Sequence, residues 1–231
     1  MWRLLLAEFA GTALLVTVVV GSGIAAVQLS PNDVGLQLLE NSMATALGLA
    51  ALMLLFGPVS GAHFNPLVTV VDWLLSRRAE TRISISTVLS YTGAQVAGGI
   101  VGAVLANVMF DRAAFELSTK SRVTPGHLVG EVVATAGLIA VIFALARSGR
   151  AALSAATVGA YLGAAYWFTS STAFANPAAT IGRIFSDTFA GIRPGSVPGF
   201  IAAQVVGALV GMALVVALYP DAHKSRMNSE P

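Results

Sequence analysis

The stretch FANPAATIGR, residues 174–183, decides how this chain folds. Asparagine is a good N-cap because its side-chain oxygen accepts an amide proton of the first turn, and proline suits the first helical position. Asn176 and Pro177 therefore start a helix. The runs around them are apolar and nearly free of charge, so this helix begins where water is scarce. The 231 residues are 56% hydrophobic and only 10% charged, with a mean hydropathy of +0.79. A water-soluble domain of this length carries far more charge.

Composition also removes whole classes of function. A formal net charge of +2 with no basic cluster among aromatics argues against nucleic acid as a partner. The chain has no cysteine, so disulfides, thiolate metal sites and thiol catalysis are excluded. No nucleophile–base set suggests an enzyme, and no cofactor is implied. His63, His127 and His223 fall on separate segments, which is no pattern for a metal site. The N-terminal apolar run is too long for a signal peptide, contains Glu8, and is followed by similar runs; it reads as a retained transmembrane helix.

Six apolar segments are long enough to cross a bilayer: residues 4–27, 38–56, 85–110, 128–146, 152–170 and 197–219. Two shorter pieces, residues 65–75 and 176–189, are not. The longest polar loop covers residues 111–127. Placing the N-terminus inside puts Arg3, Arg77, Arg78, Arg82, Arg147, Arg150, Lys224 and Arg226 on the cytoplasmic side. Arg112, Lys120, Arg122, Arg183 and Arg193 then lie outside. That bias predicts a multi-pass protein of the cell membrane with both termini cytoplasmic.

The chain resembles itself. AEFAGTALLV around Glu8 returns as GEVVATAGLI around Glu131, HFNP at Asn65 as FANP at Asn176, and AQVAGGIVGAVL at Gln95 as AQVVGALVGMAL at Gln204. The order is the same in both halves, about residues 1–110 and 125–220, within one domain of residues 1–231. Three spans per half is an odd number, so the second half inserts upside down, with a functional site expected where the halves meet at the midplane. A half-length helix in each half must dip in and return, which is tolerated at depth only where protein buries it or water lines it. Their N-termini would direct partial positive charge at one central spot. The predicted fold is an all-α membrane protein of six transmembrane helices and two re-entrant half-helices in an inverted repeat, enclosing a pore.

SGAHFNPLVT and FANPAAT resemble the paired Asn-Pro-Ala boxes of the aquaporin family, the major intrinsic proteins, and the likeness extends over nearly the whole chain. It implies a homotetramer of right-handed six-helix bundles, each with its own pore for water or small neutral solutes. The boxes are Asn65, Pro66 and Leu67, and Asn176, Pro177 and Ala178. Both asparagines are expected to cap their half-helices and to offer amide protons to a passing oxygen. Glu8 and Glu131, carboxylates inside spans, could relay protons. Their equivalence in the repeat, and the family's use of such glutamates to hold the loops before the half-helices, favours a structural role. His63 is expected to line the cytoplasmic half of the pore. The pairs Gly98/Gly102 and Gly207/Gly211 are small-xxx-small faces for close helix packing.

Family members usually carry arginine directly after the second box, where Ala179 stands here. By the family's spacing the other filter positions are Thr45, Ala164 and Ala173, so the expected filter holds nothing bulky, aromatic or charged. Arg183, four residues on, lies on the same helical face as Ala179 and could reach back over it. The favoured expectation is instead a pair with Asp187 or a solvated place in the outer vestibule. Leu67 replaces the usual alanine of the first box and would add bulk beneath Asn65. The segment YWFTSSTAFANPAATIGRIFSDTFAGI resembles bacterial aquaporins associated with arsenic-resistance operons. That likeness implies passage of arsenite, as neutral As(OH)₃, and of methylated arsenicals. The resulting expectation is a passive, wide, arginine-free channel for arsenicals and glycerol-like solutes, with some water. The alternatives are an ordinary water or glycerol facilitator, a coupled transporter, and a structural membrane protein with a closed pore.

Overall fold

A computed structural model describes residues 1–76 and 83–219. Arg77, Arg78, Arg82, Lys224, Arg226 and His223, used in the sequence reading, lie outside the described residues. Among the described residues eight α-helices follow in order: α1 (Trp2–Leu29), α2 (Val34–Ser60), α3 (Pro66–Leu75), α4 (Ile85–Met109), α5 (Pro125–Arg147), α6 (Ser154–Phe168), α7 (Pro177–Gly182) and α8 (Val197–Leu218). Polar side chains start the long helices where the sequence offers them. Asp33 accepts from Leu36 N, Ser84 from Thr87 N and Thr124 from His127 N, each supplying an orphan first-turn amide with a partner.

Among the described residues five helices are long and apolar enough to cross a membrane: α1, α2, α4, α5 and α8 with its preceding turn. The sixth expected span is shorter than predicted. α6 has 15 residues and is extended at its start by a single 3-10 turn, Ala151–Leu153. The second half-helix is also shorter than the expected residues 176–189. It ends at Gly182, passes through a 3-10 turn at Arg183–Phe185, and becomes extended at Ser186.

Two helix pairs, α1 with α4 and α5 with α8, form closely packed walls, and α2 against α6 joins them. A Cβ at Gly98 or Gly102 would collide with the carbonyls of Phe9 and Ala13 on α1. At Gly207 or Gly211 it would collide with those of Val132 and Ala136 on α5. Absence of a side chain is what lets these backbones touch, the usual route to tight packing where lipid removes a hydrophobic drive between helices. The outer surface carries exposed Leu47, Leu54, Leu89, Val129, Leu209 and Val216, as a lipid-facing surface must. Inside, α3 and α7 meet in the middle of the bundle.

Candidate functional site

The loops leading into α3 and α7 are built alike. Ala62 and Phe64 have φ of 50° and 49°, and Ala173 and Ala175 have 48° and 47°. Non-glycine residues in this left-handed region are held there against their preference. The holding groups are Glu8 and Glu131. Glu8 accepts from His63 N at 3.0 Å, Phe64 N at 2.8 Å, Ser60 Oγ at 2.6 Å and Gln95 Nε2 at 2.7 Å. Glu131 accepts from Phe174 N and Ala175 N, both at 2.9 Å, and from Gln204 Nε2 at 2.6 Å. Both carboxylates are fully buried, and every one of these bonds ends on a loop or on a neighbouring helix. They brace the loops that aim the two half-helices.

Asn65 and Asn176 cap those half-helices. Asn65 Oδ1 accepts from Leu67 N, and Asn176 Oδ1 from Ala178 N and Ala179 N. Their amide nitrogens cross between the halves: Asn65 Nδ2 donates to Ala175 O and Asn176 Nδ2 to Phe64 O, each at 2.8 Å. One proton of each amide is used in this way, and the second remains for whatever stands beside it. Both asparagines line a cavity of about 60 Å³ within the bundle. Its wall is mostly apolar, from residues such as Leu49, Val68, Leu138 and Val158; His63, Tyr166 and Arg183 add to its polar groups. His63 is tied to the bracing network, with Nδ1 3.1 Å from Thr69 Oγ1, which in turn accepts from Gln95 Nε2.

The structure departs from the sequence expectation at three places. Ala173 and Ala179 line the cavity, but Ala164 is exposed on the outside of α6. The inward residues of α6 are Leu162 and Tyr166, with Ala165 packed beside them. The loop between α6 and the second box contains three left-handed residues, Thr172, Ala173 and Ala175. Thr45 is fully buried, and its hydroxyl lies 3.3 Å from that of Tyr166. An aromatic thus occupies the side where alanine was expected.

Arg183 supplies the second correction. It forms no pair with Asp187, whose carboxylate accepts from Thr119 N and Oγ1. The four-residue spacing to Asp187 has no meaning once the helix ends at Gly182. Arg183 is 3% exposed and lines the same cavity as Ala179. Its Nε donates to Ala190 O, and its guanidinium carbon stacks 3.3 Å from the centre of the Phe174 ring. An arginine therefore shares the cavity with two of the expected filter residues, Ala173 and Ala179. Leu67 is the third correction: it sits in an apolar cluster with Ile139, Phe143, Ala208 and Val215, away from the cavity wall, so it does not narrow the midplane.

The loop of residues 111–124, termed the outer loop for its place at the end of the bundle beyond α7, packs over this region. Arg122 Nε donates to Gly191 O at 2.7 Å and its Nη2 to Phe189 O at 2.9 Å, while Lys120 Nζ also reaches Phe189 O at 2.9 Å. Three successive carbonyls, at Phe189, Ala190 and Gly191, are thereby held by Lys120, Arg122 and Arg183. Among the described residues none of these three cations has a carboxylate within ion-pair distance. The Lys120 ammonium is held down to about 8, first by burial against the loop and then by the like charges of Arg122 and Arg183.

Comparison with known proteins agrees with this geometry. The family described as "Major intrinsic protein" matches residues 1–170. The chain is similar to the aquaglyceroporin AqpS of Rhizobium meliloti (strain 1021), 47% identical over 92% of this chain and 88% of that one. It is 31% identical to a glycerol uptake facilitator protein of Pseudomonas aeruginosa, over 62% of this chain and 57% of that one. In fold it is similar to the aquaglyceroporin from Plasmodium falciparum solved by X-ray crystallography, with a TM-score of 0.70, 20% identity, and 94% and 96% of the two chains covered.

Proposed function

Because the chain belongs to the major intrinsic protein family, we propose that it is a passive channel for glycerol-sized polar solutes, arsenicals among them. Members of the family are channels rather than enzymes, and the chain is an integral membrane protein. The observation that carries the proposal is the shape of the cavity. An apolar wall runs past the paired amides of Asn65 and Asn176, and small side chains at Ala173 and Ala179 leave room beside Tyr166 and Arg183. Glycerol, and neutral hydroxides such as As(OH)₃, have hydroxyls for the polar line and bulk for the apolar wall. The half-helix N-termini and the asparagines fix the direction of a passing oxygen and oppose cations.

The wider proposal keeps residues 1–231 as one channel domain in the cell membrane, with both termini cytoplasmic and four copies assembled. Tyr166 and Arg183 in the cavity favour a second reading, an ordinary water and glycerol facilitator. Stopped-flow light scattering on proteoliposomes separates the two. Rapid entry of arsenite and methylarsenate alongside glycerol supports the first, whereas fast water and glycerol without the arsenicals supports the second. No flux above that of empty vesicles overturns both and leaves the closed-pore alternative.

A further inference from the structure

We propose that Arg183 is the specificity-determining arginine of this channel, brought into the filter from a position four residues beyond the usual one; this rests on the channel reading above. The half-helix stops at Gly182, and Arg183 opens the 3-10 turn that follows it. Its side chain is fixed from two directions. Phe174, immediately before the second box, lays its ring flat under the guanidinium, and Ala190 O takes the Nε proton.

Phe174 is itself held. Its ring packs edge-on against Phe200 at 5.1 Å between centres, and Arg122 lies over it at 5.0 Å. Ala190 sits between the two carbonyls that Arg122 clamps. The outer loop therefore positions Arg183 without touching the cavity.

The Nε bond and the ring face leave the terminal nitrogens of Arg183 without a hydrogen bond among the described residues, and the residue lines the cavity. A buried guanidinium with free donors and no carboxylate partner does two things there. It offers a planar pair of donors to a solute hydroxyl or oxyanion, and it repels cations. Tyr166, which lines the same cavity, supplies an aromatic side to it.

The test compares wild type, Arg183→Ala and Arg183→Gln in proteoliposomes, reading entry of glycerol, of a six-carbon polyol and of methylammonium. Shortening the side chain should raise the hexitol-to-glycerol ratio roughly tenfold, because diameter sets the cutoff. Glutamine keeps more of the length than alanine but removes the charge, so the hexitol ratio should rise less than in Arg183→Ala while methylammonium entry rises roughly tenfold. Unchanged ratios in both variants with normal glycerol flux overturn the proposal and leave the channel reading standing. Wild type that passes no glycerol removes both. If Arg183→Ala does not fold, Ala179→Arg serves in its place. A second guanidinium beside an occupied filter should abolish glycerol flux, whereas a vacant filter would accept it and keep glycerol moving.

Discussion

Replacing Glu131 with glutamine tests whether a buried carboxylate braces the loop that aims α7. The wild-type oxygens accept three protons, from Phe174 N, Ala175 N and Gln204 Nε2. Glutamine keeps the volume but offers one acceptor and two donors, so at least one backbone N–H faces another donor. A buried donor left unsatisfied costs about 1–3 kcal/mol, and a hydrogen bond to a charged acceptor contributes about 1.5–3 kcal/mol. Removing the buried charge relieves some desolvation, so the expected loss is about 2–4 kcal/mol. For a chain of this size that lowers the midpoint of thermal unfolding in detergent by on the order of 10 °C. Glycerol flux should fall as well, because Ala173 and Ala175 lose what keeps them left-handed. Glu8 accepts four protons, so Glu8→Gln should cost at least as much. An unchanged midpoint with flux that now ignores a proton gradient would refute the reasoning and assign the carboxylates to proton transfer.

Gly102→Val should prevent α1 and α4 from closing, since even a Cβ there meets the Ala13 carbonyl; the cost of overpacking, about 1–3 kcal/mol or more, would appear as aggregation or a lowered midpoint in size-exclusion thermal assays. Asn176→Ala removes the bond to Phe64 O and a cavity-facing amide, so light scattering should report slower glycerol entry and a pH-sensitive dye inside the vesicles a larger proton leak. Lys120 binds its proton less tightly folded, at about 8, than unfolded, near 10.5. Below about pH 8 both states are charged and the folded state bears the full penalty; between there and about pH 10.5 stability rises as the folded chain sheds the proton first. Thermal midpoints at pH 7.5 and 9.5 should therefore converge in Lys120→Met.

The paired boxes, the glutamates and the crossing glycines were legible because each rests on local chemistry: a cap, a turn proline, a residue without a side chain. Glu8 and Glu131 could be assigned a bracing role because they recur at matching places. What was not legible depended on how loops run. Ala164 is exposed and Tyr166 buried, which the spacing from the box did not indicate. The spacing of Ala179 and Arg183 allowed a back-folded side chain. The choice was made by residues 186–193, which return to present Ala190 O, and by the Phe174 ring. Leu67 looked like a pore residue from its place in the box, yet the turn of α3 carries it into the cluster around Ile139 and Phe143.

The most direct test of a passive channel is the initial rate and the final level of glycerol entry into sealed proteoliposomes, with and without an imposed proton gradient. The account predicts entry well above empty vesicles, a weak temperature dependence, and a final internal concentration equal to the external one in both conditions. Accumulation above the external concentration when the gradient is present would contradict it and make the protein a coupled transporter.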